Sequence, residues 1–364
     1  MKLINRKTLE QNAALFLAAL LLLFLSGCGG GTPAERSAQA DAETAAQTDG
    51  DTDADTAALQ GGADSDTVEN DGVTIRVAAL KGPTAMGLVK LMSDAENDDG
   101  YEFTLAASPD EIAPRLIQGE FDVACVPANL AAVLYNRTQG EIVTLAVNTL
   151  GVLYIVEKGG AVQSIEDLRG MTIAASGKGS TPEYALRYLL SENGLDPDTD
   201  VFIDWKSEHS ECVTALATGA ATLALLPQPF VTVAENNVED LRVALDLTWE
   251  WNALNNGSTL ITGVAAARRD FVTEHPTAVA RFLADYAASV DWVNANASGA
   301  AALIGAADIV PAPIAEKALP HCNIVCLTGD EMSAILPGYL SVLYDAAPDS
   351  VGGALPDADF YYHP

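Results

Sequence analysis

The chain has 364 residues, with 50 acidic against 19 basic side chains and a net charge of −31 at neutral pH. So few Lys and Arg argue against a nucleic-acid partner and against docking onto anionic lipid, both of which need a basic face. Five cysteines are too few for a disulfide scaffold of this length.

The first residues read as an address. Lys2, Arg6 and Lys7 precede an apolar run of 13 residues from Ala13 to Leu25. A spanning helix needs about 20 residues, so this run has the length of a signal-peptide core, and residues 1–27 are expected to be removed. Leu25-Ser26-Gly27-Cys28 resembles the lipobox of bacterial lipoproteins. That likeness implies cleavage before Cys28 and a diacylglycerol on its thiol. The next stretch, up to residue 72, carries 11 acidic residues against Arg36 alone and has no aromatic side chain. It cannot bury enough surface to offset its ordering entropy, so 28–72 are expected to form a disordered acidic tether behind the lipidated cysteine.

Residues 73–364 remain. With −10 in the linker and +2 in the first 28 residues, they carry −23. Val73 to Ala79 alternates as a strand, and Lys81-Gly82-Pro83-Thr84 turns into a helical stretch from Ala85 to Met92. Tyr101 to Ala106 predicts a second strand. Ser108-Pro109-Asp110-Glu111 is a capping box whose helix should stop at Gly119. Phe121 to Val126 predicts a strand closed by Pro127, and Asn129 to Tyr135 the next helix. Strands alternating with helices predict a mainly parallel sheet covered on both faces.

The same order returns 100 positions later. Glu111 to Gly119 corresponds to Glu211 to Gly219, and the strand ended by Pro127 to the one ended by Pro227. This repeat predicts two similar lobes. Two long β-like runs, Asn148 to Glu157 and Ser258 to Ala267, are placed to cross between them. The expected division is 73–152 for the first part of lobe 1 and 153–257 for lobe 2. The return strand, the completion of lobe 1 and the C-terminal helices fall in 258–364. Pro276 to Asn294 predicts a helix that packs on the first lobe.

In parallel αβ sheets, ligands meet the carboxyl ends of strands and the amino ends of helices, where N–H groups are unpaired. Four turns fit: Lys81 to Thr84, Pro127 to Asn129, Gly177 to Pro182, and Pro227 to Pro229. They nominate Lys81, Gly82, Thr84, Ala128, Asn129, Gly179, Ser180, Thr181 and Gln228 as ligand contacts, with Thr149 added from the first crossing run. Ser180 and Glu183 have the spacing of a second capping box, whose hydroxyl could serve the helix alone or also meet a ligand. Lys81 and Lys178 could offset a negative ligand. Trp249, Trp251 and Tyr154 could stack on a planar one, although core packing suits them better. Gly177-Lys178-Gly179-Ser180 lacks the upstream Gly of a P-loop. The histidines His209, His275, His321 and His363 show no HExxH spacing, and Cys322, Cys326 and His321 lack a completing cluster. No catalytic residue, metal site or cofactor is expected.

Together the lipobox, acidic tether, two αβ lobes and ligand turns resemble the solute-binding proteins of ABC importers, in the nitrate/sulfonate/taurine/thiamine-precursor branch. The motifs that carry the likeness are Ala79 to Gly87, Gly119 to Ala124, Gly177 to Tyr184 and Leu225 to Phe230. In the last, Gln228 replaces the acid of the family's Glu-Pro loop. The resemblance implies the type II periplasmic-binding-protein fold, α/β, with two lobes joined by two crossing strands. It implies a monomer, lipid-anchored outside the cytoplasmic membrane, that closes on a small polar or anionic solute and delivers it to a permease and ATPase complex. A surface sensor or adhesin remains an alternative, as does an enzyme of the pyrimidine-precursor synthase type, against which the lipobox speaks.

Overall fold

The computed structural model describes residues 72–97 and 100–364. The signal segment, Cys28 and the linker as far as Asp71 lie outside them. Two sheets organise the described chain. The first holds β1 (Ile75–Leu80), β2 (Tyr101–Ala106), β3 (Val123–Pro127), β4 (Ile142–Leu150), β10 (Ile261–Arg268) and β11 (Ile324–Thr328), in the order β11-β4-β10-β3-β1-β2. The second holds β5 (Leu153–Lys158), β6 (Thr172–Ala175), β7 (Phe202–Trp205), β8 (Leu223–Pro227) and β9 (Leu241–Asp246), in the order β7-β6-β8-β5-β9.

Five strands of each sheet follow one plan. β2, β1 and β3 are parallel, β10 is antiparallel to β3, and β4 is antiparallel to β10. In the second sheet β7, β6 and β8 are parallel, while β5 is antiparallel to both β8 and β9. β11 is an addition to the first sheet. Both central strands are apolar and buried on both faces, as a covered parallel sheet demands. Pro127 stands opposite Gly263 and Pro227 opposite Leu153, each ending its strand at the same place. The molecule is therefore an α/β protein of two lobes.

Helices α1 (Pro83–Met86), α2 (Val89–Asp94), α3 (Pro109–Ile117) and α4 (Ala128–Arg137) belong to the first sheet. Ser108 caps α3 with Glu111 in the expected box. The single helix expected over 85–92 is broken at Gly87. A side chain there would lie 2.9 Å from Ile324 and 3.1 Å from Val290, so long-range packing overrides the local periodicity. The second lobe adds α5 (Thr181–Glu192), α6 (His209–Thr218), α7 (Phe230–Asn237) and α8 (Leu247–Ala253). Returning to the first, the chain forms α9 (Arg269–Glu274), α10 (Pro276–Ala295), α11 (Ala297–Ala306), α12 (Ala312–Ala318) and α13 (Gly329–Ala346). α10 matches the helix expected from Pro276.

The two long runs behave differently. The first splits at Gly151-Val152, with β4 in one sheet and β5 in the other. The second stays within the first sheet as β10, so the return between lobes is made by residues 254–260 ahead of it.

Among the described residues the two buried carboxylates, Asp122 and Glu157, lie at the amino edges of the two sheets. Asp122, 3% exposed, binds Arg76 at 2.6 and 2.9 Å and lies 3.8 Å from Arg268. Glu157 pairs with Arg242 at 2.5 Å and accepts the N–H of Ala161 at 2.8 Å. Such carboxylates are tolerated in the interior because each is paired and hydrogen-bonded. The opposite edges carry no comparable buried pair among the described residues, which leaves them to backbone amides and neutral side chains.

The C-terminal segment ties the lobes together. Leu336, Tyr339, Leu340 and Leu343 of α13 are fully buried in a core shared with residues of both sheets. Beyond α13 the chain runs along α4. Asn136 donates to the carbonyls of Val351 and Ala354, both at 2.7 Å, and Phe360 packs edge-on to Tyr135 at 5.2 Å.

Candidate functional site

The site follows from the strand directions. β4 leaves the first sheet at the edge where β1 and β3 end. After Gly151-Val152, β5 enters the second sheet beside Pro227, where β8 ends. The carboxyl edges of both sheets therefore flank this crossing, which is where an αβ sheet offers its ligand-binding loops. Gly151 is required here, because a β-carbon would collide with the Thr248 side chain. Asn323 holds the Gly151 carbonyl at 2.6 Å.

On the lobe 1 edge, Thr84 and Thr149 meet across Gly263. A β-carbon on Gly263 would lie 2.5 Å from Asn148 Oδ1, 2.6 Å from Thr84 Cγ2 and 3.2 Å from Thr149 Oγ1. The Thr84 hydroxyl donates to the Leu80 carbonyl at 2.9 Å, and that of Thr149 to Asn148 Oδ1 at 3.1 Å. Asn148 is completely buried, with its side chain against Cys125 and Tyr286. It faces the Cys125 thiol, which burial pushes up to about 12. Gly82 is the cap residue of α1 without a side chain to offer. Lys81 points instead to Asp308, with Nζ 3.0 Å from the carboxylate.

Where the lobes meet, Asn129 and Thr181 come together. Ala128 and Asn129 open α4, and Thr181 opens α5; Asn129 and Thr181 are each 1% exposed. Asn129 Nδ2 donates to the carbonyls of Ser350 at 3.1 Å and Gly179 at 3.5 Å, and its Oδ1 accepts from the Thr181 hydroxyl at 3.4 Å. The N–H groups of Thr84, Asn129 and Thr181 sit in first helical turns and donate to nothing among the described residues. Ser180 occupies the cap position of α5, but its side chain makes no capping bond. The expected box is replaced by Glu183 accepting the N–H of Gly179 at 2.6 Å, so the carboxylate closes the glycine turn rather than the helix.

On the lobe 2 edge, Gln228 is 4% exposed and its Oε1 accepts from the Thr232 N–H at 3.3 Å and hydroxyl at 3.0 Å. It therefore caps its own helix α7. Beside it lies a trio that no sequence pattern singled out. Ser176, at the end of β6, is 2.5 Å from His209 Nδ1, and the His209 ring stands 5.0 Å from Phe230. Burial pushes the His209 imidazole down to about 4, so it is neutral at physiological pH. Trp251 is fully buried against Tyr188 and Tyr339, Tyr154 is buried, and Trp249 is exposed.

Asn129 and Thr181 are buried. One cavity of about 410 Å3 lies among Lys90, Tyr101, Asp285 and Trp292, and another of about 330 Å3 among Leu150, Asn294 and Asn323. Neither takes in Asn129 or Thr181.

The fold has known counterparts. An ABC transporter protein from Parabacteroides distasonis superposes with a TM-score of 0.67 at 23% identity, covering 80% of this chain and 99% of its own. The periplasmic aliphatic sulphonate binding protein SsuA of Escherichia coli gives 0.64 at 17% identity, with 80% and 92% covered. The alkanesulfonate-binding protein SsuA of Xanthomonas axonopodis pv. citri, bound to MOPS, gives 0.60 at 15%, with 78% and 94% covered. At these identities the likeness speaks for the fold. No curated protein matches by sequence. The model of the family described as ABC transporter, phosphonate, periplasmic substrate-binding protein matches residues 88–313. With more than half of its length matched, the chain belongs to that family and is a solute-binding protein of an ABC importer.

Proposed function

We propose that the protein is a monomeric receptor, held outside the cytoplasmic membrane by a lipid on Cys28, that closes residues 73–152 and 258–364 against 153–257 around a small anionic solute. It hands this solute to a permease and ATPase complex and catalyses nothing. The observation that carries the reading is the meeting of Asn129 and Thr181, each beside a first-turn amide without a partner. Helix starts of this kind favour negative charge and acceptor oxygens. The nearest carboxylate, Glu183 in the first turn of α5, is engaged by the Gly179 N–H, and Thr84, Thr149 and Ala128 extend the neutral part of the surface. Lys81 and Gln228 contribute at the rim once released from Asp308 and Thr232, and Gly82, Gly179 and Ser180 supply backbone. Calorimetric titration of the full chain in detergent with methylphosphonate, methanesulfonate and nitrate is expected to give saturable binding to at least one. Binding only to cations or sugars would remove the helix-start argument. In the same preparation, the intact mass should correspond to a chain beginning at a diacylated Cys28; a mass retaining residues 1–27 would remove the anchor.

A further inference from the structure

Asn129 and Thr181 do not meet unaided. The phenol of Tyr339, on α13, donates to Thr181 Oγ1 at 3.3 Å. Thr181 in turn donates to Asn129 Oδ1, and the Asn129 amide donates to the carbonyls of Ser350 and Gly179. Tyr339 and Ser350 are 0% exposed, and Thr181 and Asn129 1%. The direction of the row is set from the carbonyl end. A carbonyl can only accept, so Asn129 Nδ2 donates, its Oδ1 takes the Thr181 proton, and Thr181 Oγ1 is left to accept from the Tyr339 phenol.

We propose that Tyr339 is the positioning residue of the cleft: through Thr181 it orients the Asn129 carboxamide, keeps an N–H aimed at the solute space, and draws the lobes together before any solute arrives. This rests on the reading of Asn129 and Thr181 as solute contacts given above. The bond from Asn129 to Gly179, at 3.5 Å, is the longest in the row and at the limit of a hydrogen bond. A solute oxygen replaces it with least disturbance to the rest. A solute donor at the same place would set N–H against N–H. The site is therefore selective for an acceptor oxygen at this point, and the C-terminal segment sets that selectivity although it lies far away in sequence.

The Tyr339 ring packs on Trp251 at 5.7 Å, and Trp251 packs on Tyr188 at 4.8 Å. Tyr339→Phe thus removes the hydroxyl and keeps the packing. The test is hydrogen exchange read by mass spectrometry on the full chain in detergent without solute. The first-turn amides of Asn129 and Thr181 lack partners among the described residues, so their protection depends on burial. Tyr339→Phe and Thr181→Val are each expected to speed exchange in segments 127–131 and 179–184 about tenfold. Thr181→Ser, which keeps the hydroxyl, should restore the original rates, and β1 and β3 should not change. Unaltered rates in Tyr339→Phe would overturn the proposal. So would an equal rise in β1 and β3, which is the signature of general destabilisation. No solute is needed, so a failure of methylphosphonate or methanesulfonate to bind would count against the proposed function and not against this row.

Discussion

Asn129→Asp is expected to weaken solute binding by about 100-fold or more, a loss of roughly 3 kcal/mol. Two effects oppose each other at this position. A negative charge at the start of α4 gains from the helix dipole, about 0.3–1 kcal/mol at an exposed site. Against it, the residue is 1% exposed and its Nδ2 donates to the carbonyls of Ser350 and Gly179. An aspartate would turn an acceptor on both, and burying a carboxylate with no cation beside it costs several kcal/mol. The second effect is larger, so the variant loses the donor aimed at the solute and holds the lobes less firmly. Asn129→Ala, which deletes the donor without adding charge, should cost about tenfold. Calorimetric titration of both variants with the strongest of the three anions separates the outcomes. Equal affinity for the wild type and Asn129→Asp would place the solute elsewhere.

Gly263→Val should produce the largest fall in stability. The first side-chain carbon would come within 2.5 Å of Asn148 Oδ1 and 2.6 Å of Thr84 Cγ2. Neither side can yield easily: Gly263 is paired with Pro127 and Thr149, Asn148 is buried with its Oδ1 bonded to Thr149, and the Thr84 hydroxyl is tied to the Leu80 carbonyl. Overpacking of this kind costs about 1–3 kcal/mol, and three crowded neighbours place it at the upper end. For a chain of this size, about 3 kcal/mol lowers the melting temperature by roughly 6–12 °C. The same methyl groups would fill the space between Thr84 and Thr149, so binding should fail even at temperatures where the variant is folded. Scanning calorimetry checks the first part. A melting temperature within about 1 °C of the wild type would contradict the close approach around Gly263.

Where a feature depends on near neighbours, the sequence was a sufficient guide. The box at Ser108 and Glu111 formed as its spacing requires, because both partners lie within one turn. Gly119 and Gly219 both end helices with positive φ, and Pro127 and Pro227 both end central strands, so the 100-residue echo points to two sheets built on one plan. Gly87 misled, since a helical period continues through it while Ile324 and Val290 press on it from more than 200 positions away. Ser180 misled for the opposite reason. Its capping pattern is local and sound, but Glu183 finds a stronger partner in the Gly179 N–H, at 2.6 Å.

The site divides in the same way. Thr84, Asn129 and Thr181 are visible from the rule that helix starts after strand ends bind ligands. Asn148, Tyr339 and Ser350 carry no local signal, because each acquires its role from a partner brought by tertiary packing. Tyr339 reads in sequence as one more apolar position of α13. Only the burial of its hydroxyl against Thr181, 158 residues earlier, distinguishes it.

The central claim is that an anionic solute is held where the starts of α4 and α5 meet. A crystal structure of the protein grown with methylphosphonate tests it most directly. The expected result is a solute enclosed between the lobes, with oxygens within hydrogen-bond distance of Asn129 Nδ2 and the Thr181 N–H. A solute found instead in the groove of Lys90, Tyr101, Asp285 and Trp292, with Asn129 still bonded to Gly179, would contradict the account.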